Sequence, residues 1–141
     1  MGGGSMGTNH GRCDCGDIDY EFDDEPVNTV FCYCRTCQLH TNSDKWFGVW
    51  VPFEKFRLVK GTPSSFTALG DSGSETHRLF CGNCSTVLGL KCDGFDLYSL
   101  SASTIAGGDR LRPKMLIYTK FAPAWATFPE GLPKYDILPP G

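Results

Sequence analysis

The cysteines of this chain are grouped in a way that suggests shared chemistry. The 141-residue sequence holds eight of them. They are arranged as Cys13 and Cys15 in "CDC", Cys32, Cys34 and Cys37 in "FCYCRTC", Cys81 and Cys84 in "CGNC", and Cys92 alone. Sulfur atoms spaced two or three positions apart can meet on one metal ion, or they can be oxidised to disulfides. The rest of the sequence decides between these two chemistries.

Disulfide bonds are the weaker hypothesis for these cysteines. Disulfide frameworks belong to secreted chains, and the first residues lack the charged stretch and apolar core of a signal peptide. A domain near this size can also bury enough apolar surface to fold without cross-links. Redox chemistry at Cys81 and Cys84 is a further alternative, but a thioredoxin-like motif needs a βαβ setting that the sequence does not predict. We therefore expect reduced, metal-binding cysteines in a cytoplasmic protein.

Two of the groups have the spacing of a closed structural zinc site. Gly82 inside "CGNC" favours the tight turn of a zinc knuckle, in which both sulfur atoms reach one ion at about 2.3 Å. Residues two apart on a strand share a face, so Cys13 and Cys15 can converge as well. Together the pairs predict a structural zinc site with four thiolate ligands, Cys13, Cys15, Cys81 and Cys84.

The remaining group predicts a second zinc site with a free position. Three protein ligands and one exchangeable ligand are the arrangement of catalytic zinc, and this ion would be held by Cys32, Cys34 and Cys37. Zinc is thiophilic, so such a site would accept the sulfur of an incoming thiol and lower the pKa of that thiol. In the alternative, Cys92 or His40 completes the tetrahedron and the site is only structural.

Short strands separated by turn residues are expected to position these ligands. Ile18, Tyr20 and Phe22 alternate with acidic residues, which is the two-residue period of a half-buried strand. Similar segments bounded by turn residues are "TVFCYC", "WFGVWVP", "FRLVKG", "SFTALG", "THRLFC", "TVLGLKC", "DLYSLSA" and the start of "KMLIYTKFAPAWATF". No long helical stripe appears. The pattern predicts an all-β, antiparallel domain that ends in a proline-rich tail along the surface.

Composition narrows the partners and the domain limits. The net charge of -3 and the scattered lysines and arginines disfavour nucleic acid, and no apolar run is long enough for a membrane helix. A small-molecule substrate is therefore the expected partner. Residues 1–9 have the composition of a flexible leader or expression scar, and residues 10–141 form the predicted single zinc domain.

Several segments together resemble a known enzyme family. The segments "GRCDCGDIDYEF", "FCYCRTCQ", "FRLVKG", "HRLFCGNCSTVLG" and "KMLIYTKFAPAW", in this order, are similar to the glutathione-dependent formaldehyde-activating enzymes, a family that includes centromere-protein-V-like proteins. The resemblance implies a tent-shaped antiparallel β fold, or β-tent, with two zinc ions per chain. It implies structural zinc at Cys13, Cys15, Cys81 and Cys84, and active-site zinc at Cys32, Cys34 and Cys37. It also implies a carbon-sulfur lyase that forms S-hydroxymethylglutathione from formaldehyde, with glutathione as co-substrate.

The sequence offers candidates for proton transfer and for substrate binding. His40, three residues after the last cysteine of the triple, is the first candidate for a general acid or base. Arg35 and Lys45 are candidates to bind the carboxylates of a glutathione-like ligand. Arg78 can instead form an ion pair with an acidic residue such as Glu75. Two other functions stay open: the same zinc pocket acting on a different small molecule, and a non-enzymatic binding module stabilised by zinc.

Overall fold

Ten β-strands and one α-helix make up most of the regular structure of the described residues. The computed structural model describes residues 7–70 and 73–140. Its elements are β1 (Thr8–Arg12), β2 (Asp19–Asp23), β3 (Asn28–Cys32), α1 (Arg35–Thr41), β4 (Trp46–Pro52), β5 (Phe56–Lys60), β6 (Ser64–Leu69), β7 (Glu75–Phe80), β8 (Val87–Cys92), β9 (Leu97–Ser101) and β10 (Met115–Ile117). The predominance of strands confirms the predicted all-β class.

The strands form two sheets. β1, β2 and β5 make a three-stranded sheet, and the seven-stranded sheet has the order β10-β3-β4-β9-β8-β7-β6. The neighbouring strands pair antiparallel except β10 with β3, which are parallel. The fully antiparallel prediction is wrong at this edge. A parallel pair needs a long crossover between its strands, and residues 33–114 supply one.

One face of the seven-stranded sheet packs against the three-stranded sheet. The alternation of β2 buries Tyr20 and Phe22, and these side chains share an apolar cluster with Val49 of the large sheet. Each large side chain that is fully buried in this way contributes about 1.5–3 kcal/mol. Cys13 and Cys81 lie in the same cluster, so the predicted structural site is at the edge of the core between the sheets.

The opposite face of the large sheet, which we call the thiol face, carries Val30, Cys32, Trp46 and Met115. Helix α1 covers part of this face, since Cys37 of α1 packs into the same cluster. The proline-rich tail hydrogen-bonds through its backbone to β10. The tail therefore lies along the edge of the sheet, as the sequence predicts.

Two local features differ from the sequence-based expectations. Helix α1 was not predicted, because seven residues are too few to show a helical period. Strand β1 begins at Thr8, so the sheet starts two residues before the predicted domain start at residue 10. Of the leader predicted at residues 1–9, residues 1–6 lie outside the described residues. Within the described part of the chain, no helix is long enough to cross a membrane.

Candidate metal centres

The first cysteine cluster has the dimensions of a four-thiolate metal site. The sulfur atoms of Cys13, Cys15, Cys81 and Cys84 all lie within 4.8 Å of one another. The Cys13–Cys15 and Cys15–Cys81 Sγ–Sγ distances are both 3.7 Å. A tetrahedron with zinc-sulfur bonds of about 2.3 Å has edges of about 3.8 Å. These residues therefore fit a tetrahedral metal ion without rearrangement of the backbone.

Backbone turns aim these sulfur atoms at one point. In the "CGNC" turn, the N–H groups of Asn83 and Cys84 donate to Cys81 Sγ at 3.4 and 3.5 Å. Across the cluster, the N–H of Ile18 donates to Cys13 Sγ at 3.3 Å. Hydrogen bonds to sulfur favour its thiolate form, which is the form that binds a metal.

The thiol of Cys84 is also activated. The hydroxyl of Thr86, 3.2 Å from Cys84 Sγ, and the Thr86 backbone lower the pKa of Cys84 to about 6. Because this pKa lies below the usual thiol range, Cys84 is ready to act as a thiolate ligand near neutral pH.

The second cluster is built by the end of β3 and the start of α1. The sulfur atoms of Cys32, Cys34 and Cys37 lie within 4.8 Å of one another, and the Cys34–Cys37 Sγ–Sγ distance is 3.0 Å. Cys34 is the N-cap of α1, and its sulfur accepts the N–H of Cys37 at 3.2 Å. Cys32 and Cys37 are buried, whereas Cys34 is partly exposed. The accessible side of this cluster is therefore the side of Cys34.

The three thiols stabilise a thiolate at Cys34. Hydrogen bonds from Cys32 and Cys37, together with the backbone N–H groups of Cys37 and Thr36, lower the pKa of Cys34 to about 3. The proton stays on the neighbours: hydrogen bonding with Cys34 and burial raise the pKa of Cys32 to about 12. A divalent cation would take the place of these shared protons, because a coordinated thiol is deprotonated outright. The donor set therefore fits a thiophilic ion.

Among the described residues, no fourth Cys, His, Asp or Glu ligand atom lies within 4.8 Å of all three sulfur atoms. The alternative in which Cys92 completes this site is wrong. Cys92 pairs with Leu97, which pairs with Pro52 at the far end of β4, whereas Cys32 pairs with Trp46 at its beginning. Cys92 therefore lies at the end of the strands opposite to Cys32. Burial raises the pKa of the Cys92 thiol to about 11.

His40 lies near the second cluster but outside its group of ligands. Its ring meets Trp46 edge-on with centroids 6.0 Å apart, and its Nδ1 is buried without a hydrogen-bond partner among the described residues. Burial and the positive charge of Arg78 lower the pKa of His40 to about 4, while Cys34 acts in the opposite direction. The ring is therefore neutral near pH 7. Its role in proton transfer stays a prediction.

The three candidate cations, Lys45, Arg35 and Arg78, have different surroundings in the structure. Lys45 Nζ is 2.7 Å from Asp44 Oδ1 and is already paired. Arg35 is exposed on α1, with Gln38 as its hydrogen-bond partner. The ion pair suggested between Arg78 and Glu75 does not form. The carboxylate of Glu75 instead lies 3.9 Å from Nε2 of His77.

His77 belongs to a third cluster, which the sequence did not indicate. Its Nε2 lies 2.9 Å from Asp93 Oδ2 and 3.9 Å from Glu75 Oε1. Lys91 Nζ is 3.8 Å from the other Asp93 oxygen, so a cation already accompanies these carboxylates. The arrangement is that of a surface ion-pair network. It lies on the face of β7 opposite Arg78 and away from the three-cysteine cluster.

Two polar side chains that hold the surroundings of the second cluster were missed by sequence reasoning. Asp44, 7% exposed, accepts the backbone N–H of Thr127 at 3.1 Å. Gln38 donates to the carbonyl oxygens of Tyr33 and Phe121, both at 3.0 Å. These bonds tie the segment after β10 to the region around α1. No local pattern reveals them, because each joins residues more than 80 positions apart or depends on the unpredicted helix.

The fold and these sites together define a class, namely mostly β-sheet proteins with two cysteine clusters that can hold metal ions. The family model for "Glutathione-dependent formaldehyde-activating enzyme" matches residues 8–121. The chain therefore belongs to the glutathione-dependent formaldehyde-activating enzyme family, and the resemblance seen in the sequence is confirmed.

The fold is also found in a solved structure. A crystal structure of a Rhodobacter sphaeroides protein matches with a TM-score of 0.55 and 17% sequence identity, covering 74% of this chain and 91% of that chain. At this level of identity the similarity shows the fold alone. A search of curated proteins finds no match.

Metal content will test both clusters. We expect two zinc ions per chain in the wild type, and one in Cys34→Ser with the fold retained, because that change removes a ligand from a local cluster. Cys84→Ser should lose an ion and also lower the thermal midpoint, since its cluster joins two sheets. Cys92→Ser is the matched control and should keep both ions. Metal analysis with thermal unfolding gives the readout; two ions in Cys34→Ser would contradict the assignment.

Ser85 adopts a left-handed backbone conformation, with φ at 69°, directly after the "CGNC" turn. This conformation costs an L residue about 1–2 kcal/mol, and glycine adopts it freely at an entropic cost of about 0.5–1 kcal/mol. Ser85→Gly should therefore raise the free energy of unfolding by about 0.5–1 kcal/mol. The matched control, Ser65→Gly in strand β6, should lower it. Denaturant titration measures the free energy of unfolding of both variants. A loss of stability in Ser85→Gly would show that the backbone at Ser85 is not strained.

Proposed function

We propose that the protein is a zinc-dependent carbon-sulfur lyase that forms or cleaves a thiol adduct such as S-hydroxymethylglutathione. The observation that carries the proposal is the three-cysteine cluster, which has an accessible Cys34 and no fourth ligand atom nearby in the described part of the chain. Membership in a family of formaldehyde-activating enzymes supports glutathione and formaldehyde as the substrate class.

The two clusters have different parts in this proposal. The four-cysteine cluster would hold a structural ion, and Cys32, Cys34 and Cys37 would hold the active-site ion. Zinc bound there supplies a position that takes the sulfur of a thiol and lowers its pKa. The proposed partner is a small molecule, with glutathione as co-substrate. The proposed compartment is the cytoplasm, where protein thiols remain reduced.

His40 is the proposed proton carrier. Because its ring is neutral near pH 7, it can accept a proton from a thiol or from the hydroxyl group of an adduct. Trp46 orients the ring through the edge-on contact and is itself fixed, since its Nε1 donates to Ser99 Oγ at 3.1 Å. Trp46 is 4% exposed, so it also keeps water away from that side of the histidine.

Glutathione titration of the cobalt-substituted protein tests the open position. We expect saturable changes in the sulfur-to-cobalt charge-transfer and ligand-field bands, because a new thiolate ligand alters both. The changes should disappear in Cys34→Ser and persist in the control Cys92→Ser. A spectrum that does not move at any glutathione concentration would contradict the proposal and favour a zinc-stabilised binding module or a substrate that is not a thiol.

Replacement of His40 tests proton transfer separately from metal binding. His40→Ala should lower kcat for S-hydroxymethylglutathione formation roughly 10²- to 10⁴-fold, the usual contribution of a general acid or base, with two ions still bound. His77→Ala is the control, because His77 lies on the other face of β7 and should leave kcat unchanged. Unchanged turnover in His40→Ala, with both metals present, would show that the assignment is wrong.

A further inference from the structure

Arg78, in the middle of β7, is a cation without an anionic partner among residues 7–70 and 73–140. Its Nε is buried and has no hydrogen-bond partner in the part of the chain that the structure describes. Its guanidinium lies over the ring of Phe66, 5.3 Å from the centroid, and no Asp or Glu oxygen of the described residues is within ion-pair distance of it. A buried N–H without an acceptor is costly and uncommon in native proteins. An acceptor that is not part of the described chain is the simplest way to satisfy it.

Strand register places Arg78 on the thiol face. Arg78 is opposite Leu90 of β8, and Leu90 is opposite Ser99 of β9. Directly opposed residues of antiparallel strands point to the same side of a sheet. Ser99 Oγ accepts the Nε1 proton of Trp46, whose neighbour across the sheet is Cys32. The guanidinium and the three-cysteine cluster therefore share one face.

His40 connects the two groups. It packs on Trp46 of the thiol face, and its Nδ1 is the second buried nitrogen there without a partner. The charges of Arg78 and Cys34 both act on the His40 ring, in opposite directions. The ring is thus under the influence of the positive charge of Arg78 and of the opposite effect of Cys34.

The charge of the metal site suggests a role for an unpaired Arg78. A divalent ion with three thiolates carries a net charge of −1, which repels an anionic substrate. Lys45 cannot offset this repulsion because Asp44 already holds it, and Arg35 is exposed on α1. Arg78 has its hydrogen-bond donors free, and the planar fork of arginine matches a carboxylate.

We propose that Arg78 binds a carboxylate of a glutathione-class thiol, so that the thiol face carries an anion subsite in addition to the three-cysteine cluster. The inference rests on the proposed function for the substrate class, but the subsite itself is defined by Arg78. In this role Arg78 is a specificity residue: it recognises the part of the substrate that does not react. Thiols without a carboxylate do not use it.

S-methylglutathione is the first probe, because it keeps both carboxylates and cannot become a thiolate. Isothermal titration calorimetry with the zinc-loaded wild type should give saturable binding, and Arg78→Gln should weaken it by roughly tenfold or more. Arg35→Gln is the matched control and should bind like the wild type. Equal affinity in Arg78→Gln and wild type, or no binding to the wild type, would overturn the subsite.

A neutral thiol separates the subsite from the proposed function. With 2-mercaptoethanol and the cobalt-substituted protein, Arg78→Gln should show the same affinity as the wild type, because this thiol has no carboxylate. If Arg78→Gln weakens the binding of both S-methylglutathione and 2-mercaptoethanol, the arginine acts through the metal cluster and the proposed subsite is wrong. If no thiol moves the spectrum while S-methylglutathione still needs Arg78, the proposed function fails and the subsite stands.

Arg78→Lys guards against a variant that fails to fold. Lysine keeps the charge but loses the planar fork, so S-methylglutathione affinity should lie between those of the wild type and Arg78→Gln. Thermal midpoints and metal content establish that each variant is folded and loaded. Affinity in Arg78→Lys equal to that of the wild type would show that the charge alone suffices, and would overturn recognition by the fork.

Discussion

Four sulfur atoms from two distant parts of the chain meet in one place, and this meeting brings the small sheet and the large sheet together beside their shared apolar core. Cys15 and Cys81 are 66 positions apart in sequence, yet their sulfur atoms are 3.7 Å apart. Thiolates this close repel one another, so the cluster is stable only with protons or a cation between them. One pair of ligands follows β1 of the small sheet and the other follows β7 of the large sheet. A single ion here would therefore act as a link between two layers.

The second cluster is under no such constraint. Its three cysteines lie within six positions, at the junction of β3 and α1, and local backbone geometry brings their sulfur atoms together. A fourth protein ligand is not needed to hold distant elements in place. An exchangeable molecule could therefore occupy the fourth ligand position of a bound ion without loss of the fold. This difference in sequence range supports the proposed structural role of the first cluster and the proposed catalytic role of the second.

Local patterns predicted the strands and the grouping of seven cysteines, because both depend on neighbours in sequence. The alternation around Tyr20 and the turn residues beside each strand were sufficient for that. The parallel pairing of β10, the position of Cys92 and the free guanidinium of Arg78 were not predictable. Each depends on strand order and register across the seven-stranded sheet, which no local period encodes. Family resemblance supplied the substrate class, which the residues alone did not.

The parallel pair also sets an order of assembly during synthesis. The ligands of the four-cysteine cluster are all made once Cys84 has left the ribosome, before the chain supplies β8 and β9, which connect β7 to β4 in the large sheet. Strand β3, which leads into the three-cysteine cluster, gains its edge partner only when Met115–Ile117 emerges, and the tail that covers that partner comes last. The three sulfur ligands are therefore made early, whereas the sheet edge beside them is completed only near the end of translation.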